Sequence, residues 1–85
     1  MKDLVYPAVV YKDEEGNGYT IAIEDVGIYT DGETIVDAYI RAKAHLCAMV
    51  DCAIKVDCEI EAPSDFEKVY VDNKGKIVLL VDALA

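Results

Sequence analysis

The sequence predicts an α+β fold in which an antiparallel sheet carries one main helix on one face. Three observations predict it: an early Val- and Tyr-rich stretch is followed by one that alternates apolar with polar residues, a central stretch repeats apolar residues at helical spacing, and an apolar run lies near the end. At 85 residues there is room for one core and no more, so residues 1–85 are expected to form a single domain. A hydrophobic content of 54% beside 29% charged residues marks a chain with enough apolar surface to fold.

Leu4 to Lys12 is rich in Val and Tyr and runs into the turn residues Asp13-Glu14-Glu15-Gly16-Asn17-Gly18, which predicts strand, turn, strand. Pro7 has no N–H to give to a ladder and is expected at an unpaired position, a bulge or an edge. Gly18 to Glu24 sets Tyr19, Ile21 and Ile23 against Thr20, Ala22 and Glu24, as a strand with one more apolar face does. After a break at Gly27, a short third strand over Ile28 to Thr30 closes at Asp31-Gly32. Thr34 and Asp37 have the spacing of a capping box, so a helix starts there. Ile35, Ala38, Tyr39, Ala42, Leu46, Met49 and Ala53 form the stripe that faces the sheet, while Val36, Ile40 and Cys47 project away from it. Ile54 to Phe66, broken by Pro63, reads as a connector. Lys68 to Asp72 and Lys76 to Asp82 flank Asn73-Lys74-Gly75 and read as a closing hairpin whose last strand is apolar on both faces.

Seventeen acidic against 8 basic residues give a formal charge of −9. That field repels phosphate backbones and anionic lipid, which argues against direct nucleic-acid or membrane partners, and it favours docking of a basic protein. No stretch reaches the ~18 consecutive apolar residues of a bilayer span, and Lys2-Asp3-Leu4-Val5-Tyr6-Pro7 lacks the layout of a signal peptide, so a cytoplasmic protein is expected. Cys47, Cys52 and Cys58 are odd in number and form no C-x-x-C pair, the pattern of reduced thiols and not of a disulfide framework or zinc site.

One helix covers one face of a sheet, yet strand one is apolar on both: Leu4, Tyr6, Ala8 and Val10 on one side, Val5, Val9 and Tyr11 on the other. The uncovered face is expected to associate with another chain or a second copy, unless the connector around Pro63 and Phe66 folds over it. Val78 and Leu80, on the doubly apolar last strand, are the residues expected at a homo-oligomer interface. Glu24, Asp25, Asp31 and Glu33, at loops beside the sheet, are those expected to meet a basic partner. Nothing points to catalysis or to a bound cofactor or metal: His45 is the sole histidine, on the helix margin, and Ser64 the sole serine, in a loop without nucleophile-elbow glycines. Asp72-Asn73-Lys74-Gly75-Lys76 lacks the acid spacing of a calcium loop.

Tyr6-Pro7 on strand one, Gly18-Tyr19 opening strand two, Gly27, and then Asp31-Gly32-Glu33-Thr34-Ile35-Val36-Asp37-Ala38 together resemble the HicB antitoxin family. That family usually shows an acidic-Leu-Pro-Gly-Cys turn followed by Gly-Asp-Thr-Leu-Glu-Glu-Ala. Ala62-Pro63-Ser64 and the terminal Val78-Leu79-Leu80-Val81-Asp82 resemble its proline loop and final strand. Val26 stands where the family has Pro, and Ile28 where it often has Cys. The resemblance implies a partial ribonuclease H-like topology, β-β-β-α-β-β, without the catalytic carboxylates; Val5, Val9 and Val10 stand in strand one. It further implies an antitoxin that covers a small basic HicA-type ribonuclease toxin, in a short form without the DNA-binding segment of longer members. The alternative is a solitary homo-oligomeric regulatory or ligand-binding module.

Overall fold

The computed structural model describes residues 4–83; Lys2 and Asp3, read above for a leader, lie outside them. Strands β1 (Val5–Lys12) and β2 (Tyr19–Ile23), a 3-10 turn (Glu24–Val26) and strand β3 (Ile28–Gly32) precede helix α1 (Ile35–Lys55). A short helix α2 (Phe66–Asp72) and strand β4 (Ile77–Asp82) follow. The four strands form one antiparallel sheet in the order β3-β2-β1-β4.

The register sorts the side chains. Tyr6, Ala8 and Val10 pair with Val81, Leu79 and Ile77, and Val10 pairs with Ile21, so these residues share the face under α1. Tyr6, Ala8, Ile21, Ile23, Ile28 and Val81 are buried there against Ala38, Ala42, Leu46 and Val50. Ala38, Ala42 and Leu46 of the predicted stripe are buried, with Val50 added and Ile35, Tyr39 and Met49 at the margin, while Ala53 is half-buried outside this core. Thr34 caps the helix by accepting the Asp37 N–H at 3.0 Å. A Cβ on Gly32 would sit 2.6 Å from the Ala38 nitrogen, so only glycine lets β3 run this close to the first turn of α1.

Three expectations are corrected. The third strand extends through Asp31 and Gly32, because both pair with β2, opposite Thr20 and Tyr19. Lys68 to Asp72 is not a strand but belongs to α2, so the order is β-β-β-α-α-β within the same α+β class. Val69, Tyr70 and Val71 carry strand propensity, yet Asp65 caps a helix by accepting the Glu67 N–H, and Phe66 stacks on Tyr70 one turn on, with ring centroids 6.2 Å apart. Local capping and side-chain contacts outweigh propensity here. The third correction concerns the face away from α1, which is not bare. The register puts Pro7, Val9 and Ala22 on it, where Val9 and Ala22 are buried under the connector and α2. The connector from Cys58 to Asp65 has no regular structure.

Pro7 sits in an inner strand. It pairs with Leu80 of β4, but the β1–β2 ladder starts only at Val9, so on the β2 side Pro7 lies at an unpaired position, as expected.

Candidate acidic binding surface

The four acidic residues singled out from the sequence fall at opposite ends of the β2–β3 hairpin. Ile23 pairs with Ile28 at one end and Tyr19 with Gly32 at the other. Glu24 and Asp25 lie just past the first end; Asp31 and Glu33 flank the second.

At the first end, Asp25 is a fastener. Its carboxylate accepts the Ser64 N–H at 2.9 Å and the Ser64 hydroxyl through its other oxygen. Together with the Tyr6 hydroxyl, which donates to the Glu61 carbonyl at 2.5 Å, this ties the connector to the sheet. Glu24 is exposed and lines a small cleft of about 90 Å³ with Pro7, Val9, Ala22 and Val69. Burial raises the Tyr6 phenol above its usual range, and the charges of Asp25 and Glu61 add to the effect. The Tyr11 phenol is raised by burial first and then by Glu24 and Tyr29.

At the second end, Asp13, Asp31, Glu33 and Asp37 line an open groove of about 440 Å³ with one guanidinium, Arg41. Arg41 Nη1 donates to the Asp31 carbonyl at 3.1 Å. Asp13 and Asp37 read from the sequence as a turn residue and a capping residue, not as partner contacts. The signal lies in the register: Lys12 opposite Tyr19, and Tyr19 opposite Gly32, bring the hairpin turn beside the start of α1. Four carboxylates around one anchored cation make a surface suited to basic side chains. Val78 is half-buried and Leu80 is 51% exposed, both on the face that carries α2.

Among the described residues no group of three or more His, Cys, Asp or Glu is placed to hold a metal ion, and no helix is long and apolar enough to cross a membrane. His45 is exposed, and Cys47, Cys52 and Cys58 are thiols.

Fold and surface define the class: a small α+β domain with a long helix on one face of a four-stranded sheet, a short one on the other, and an acidic rim. No family model and no curated protein matches the sequence. Solved structures do match, and they make the chain HicB-like. The N-terminal domain of the Burkholderia pseudomallei antitoxin HicB superposes with a TM-score of 0.79 at 27% identity, over 92% of this chain and 95% of that one. The Burkholderia pseudomallei antitoxin HicB gives 0.76 at 26% identity; 95% of this chain matches 62% of that one, so the chain spans less than two thirds of its length. A chain of a toxin-antitoxin complex from Streptococcus pneumoniae shares the fold, with a TM-score of 0.75 at 22% identity, over 95% of this chain and 69% of that chain.

Proposed function

We propose that this chain is an antitoxin that binds and occludes a small basic ribonuclease toxin of the HicA type, acting by coverage and not by catalysis. The observation that carries the reading is the match to an antitoxin domain over nearly the whole of both chains. The charge of −9 suits a cationic partner and disfavours direct contact with nucleic acid or membrane. A cytoplasmic setting fits the three reduced thiols.

The contact surface on this reading is the groove with Asp31 and Glu33, extended by Asp13 and Asp37, with Glu24 as an outlying contact. Asp25 contributes by holding the connector, since Ser64 occupies its carboxylate. The test is a titration of the chain with a purified small basic ribonuclease of the HicA type, at low and at high salt, with ribonuclease activity followed in parallel. Tight, salt-weakened binding that silences the activity is expected, with at least ~10-fold loss of affinity in Asp31→Lys/Glu33→Lys. Failure to associate at low salt would sink the reading.

A second reading, self-association through Val78 and Leu80, is favoured by one observation: Leu80 is half exposed on the face that carries α2. Leu80→Glu is then expected to reduce oligomer size in sedimentation; an unchanged, folded oligomer would remove Leu80 from the interface.

A further inference from the structure

The two edge strands of the sheet, β3 and β4, are treated alike by α1. In an antiparallel ladder, residues alternate between pointing their N–H and C=O at the partner strand and pointing them away. The Ala83 N–H donates to the Leu4 carbonyl at 2.9 Å, which fixes the phase of β4 against β1. Val81, Leu79 and Ile77 then face β1, while the backbone groups of Val78, Leu80 and Asp82 face outward. On the other side, the Asp13 N–H donates to the Gly18 carbonyl, so Thr20 and Ala22 face β1, Ile21 and Ile23 face β3, and Tyr29 and Asp31 face outward.

Three of these outward carbonyls are occupied by side chains of α1. The Tyr39 hydroxyl donates to the Leu80 carbonyl at 3.2 Å. The Lys43 ammonium donates to the Asp82 carbonyl at 3.2 Å and pairs with the Asp82 carboxylate. Arg41 reaches the Asp31 carbonyl on the opposite edge. Tyr39 and Lys43 are four residues apart, ~6 Å along a helix, and Leu80 and Asp82 are two apart, ~6.8 Å along a strand. The two spacings match closely enough for successive turns of α1 to meet successive outward carbonyls of β4.

We propose that Tyr39 and Lys43 guard the β4 edge against strand addition, and that what they hold off is antiparallel pairing with β4 of a second copy centred on Leu80. An outward-facing strand with vacant ladder positions is a template for another strand, and proteins suppress such edges by covering them. The second copy is the occupant that fits β4. A twofold through Leu80 sets Leu80 against Leu80 and Val78 against Asp82, which joins the exposed leucines and opposes no like charges. The β3 edge would bring Tyr29 against Asp31 beside Glu33, in an acidic setting that repels its own copy. This contact is distinct from face-to-face association through the Val78 and Leu80 side chains, because it consumes backbone groups.

The test compares the native chain with Tyr39→Phe/Lys43→Met by sedimentation velocity over a range of concentrations, together with amide exchange at Val78 and Leu80 followed by NMR. The double variant is expected to dimerise at least ~10-fold more tightly than the native chain, and its Leu80 amide to exchange at least ~10-fold more slowly in the dimer. Tyr39→Phe alone, which deletes a single oxygen, is expected to fall between the two and serves if the double variant does not fold. A folded variant with the native association constant overturns the proposal. So does a dimer whose Val78 and Leu80 amides keep their native exchange rates, and so does a native chain already protected at those amides by self-association. None of these readings involves a toxin, so the antitoxin assignment stands or falls separately.

Discussion

On one side of the sheet, the 21-residue helix α1 drives Ala38, Ala42, Leu46 and Val50 into a layer with Tyr6, Ile21, Ile23 and Val81. On the other, the seven-residue helix α2 has no fully buried residue of its own, yet Val9 and Ala22 beneath it are as buried as the main core. The first face is held by interdigitated apolar side chains. The second is held by a polar tie at its margin, from Ser64 to Asp25, with a thin apolar cover beside it. Apolar packing contributes in proportion to area and resists piecemeal loss, whereas a polar tie is lost with one atom. The α2 face is therefore the part of the domain expected to open first, well before global unfolding.

The largest expected effect sharpens this contrast. Leu46→Ala should cost about 3 kcal/mol in urea unfolding, because the fully buried site cannot collapse around the cavity. Val69→Ala, on α2, should cost about 1 kcal/mol or less, since its side chain is only half-buried. Equal losses would mean that the two faces form one core, and the distinction would fail.

A smaller effect is expected from Ser64→Ala. It removes one hydrogen bond to Asp25, for a net loss of about 1 kcal/mol. Its signature is local: amides of α2 should exchange faster while those in the middle of α1 keep their rates. Uniform acceleration would show that α2 does not open separately.

The smallest effect lies at alkaline pH. The Tyr6 phenol is raised above its ordinary value of 10.0, first by burial, so the folded state keeps a proton that the unfolded chain gives up. Its contribution is whole below about pH 10 and is lost as pH rises above that. Lys43 is also raised, by its hydrogen bond to Asp82, and acts in the same direction. Comparison with Tyr6→Phe isolates the tyrosine, and the native chain should lose stability more steeply above pH 10. Parallel curves would assign the alkaline loss elsewhere.

The α1 side of the molecule was legible in the sequence because period-two strands and a three-and-four-residue stripe encode one face each. Residues such as Ile21, Ile23, Ala42 and Leu46 are read directly from that spacing. The α2 side was not legible. Val69-Tyr70-Val71 has the composition of a strand, and the cap at Asp65 and the Phe66–Tyr70 stack that favour a helix are single local contacts with no periodic pattern to announce them. The resemblance to HicB was carried by order and spacing along the whole chain, and the superposition agrees with it. The acidic surface was half legible: Asp31 and Glu33 stand next to a turn, but Asp13 and Asp37 join them only through the pairing of three strands and a helix start. Asp25 illustrates the limit of reading charge alone, since its carboxylate is engaged within the domain.

Pro7 has a consequence for how β1 finds its place. Alternation alone cannot tell the native pairing from one shifted by two residues, because such a slip keeps every side chain on its own face. In the native pairing Pro7 lies just beyond the start of the β1–β2 ladder at Val9. A slip that set Pro7 opposite Ala22 would put a residue with no N–H where the ladder needs a donor. The ring thus bars slips of the hairpin in one direction, a kind of information that hydrophobic pattern does not carry.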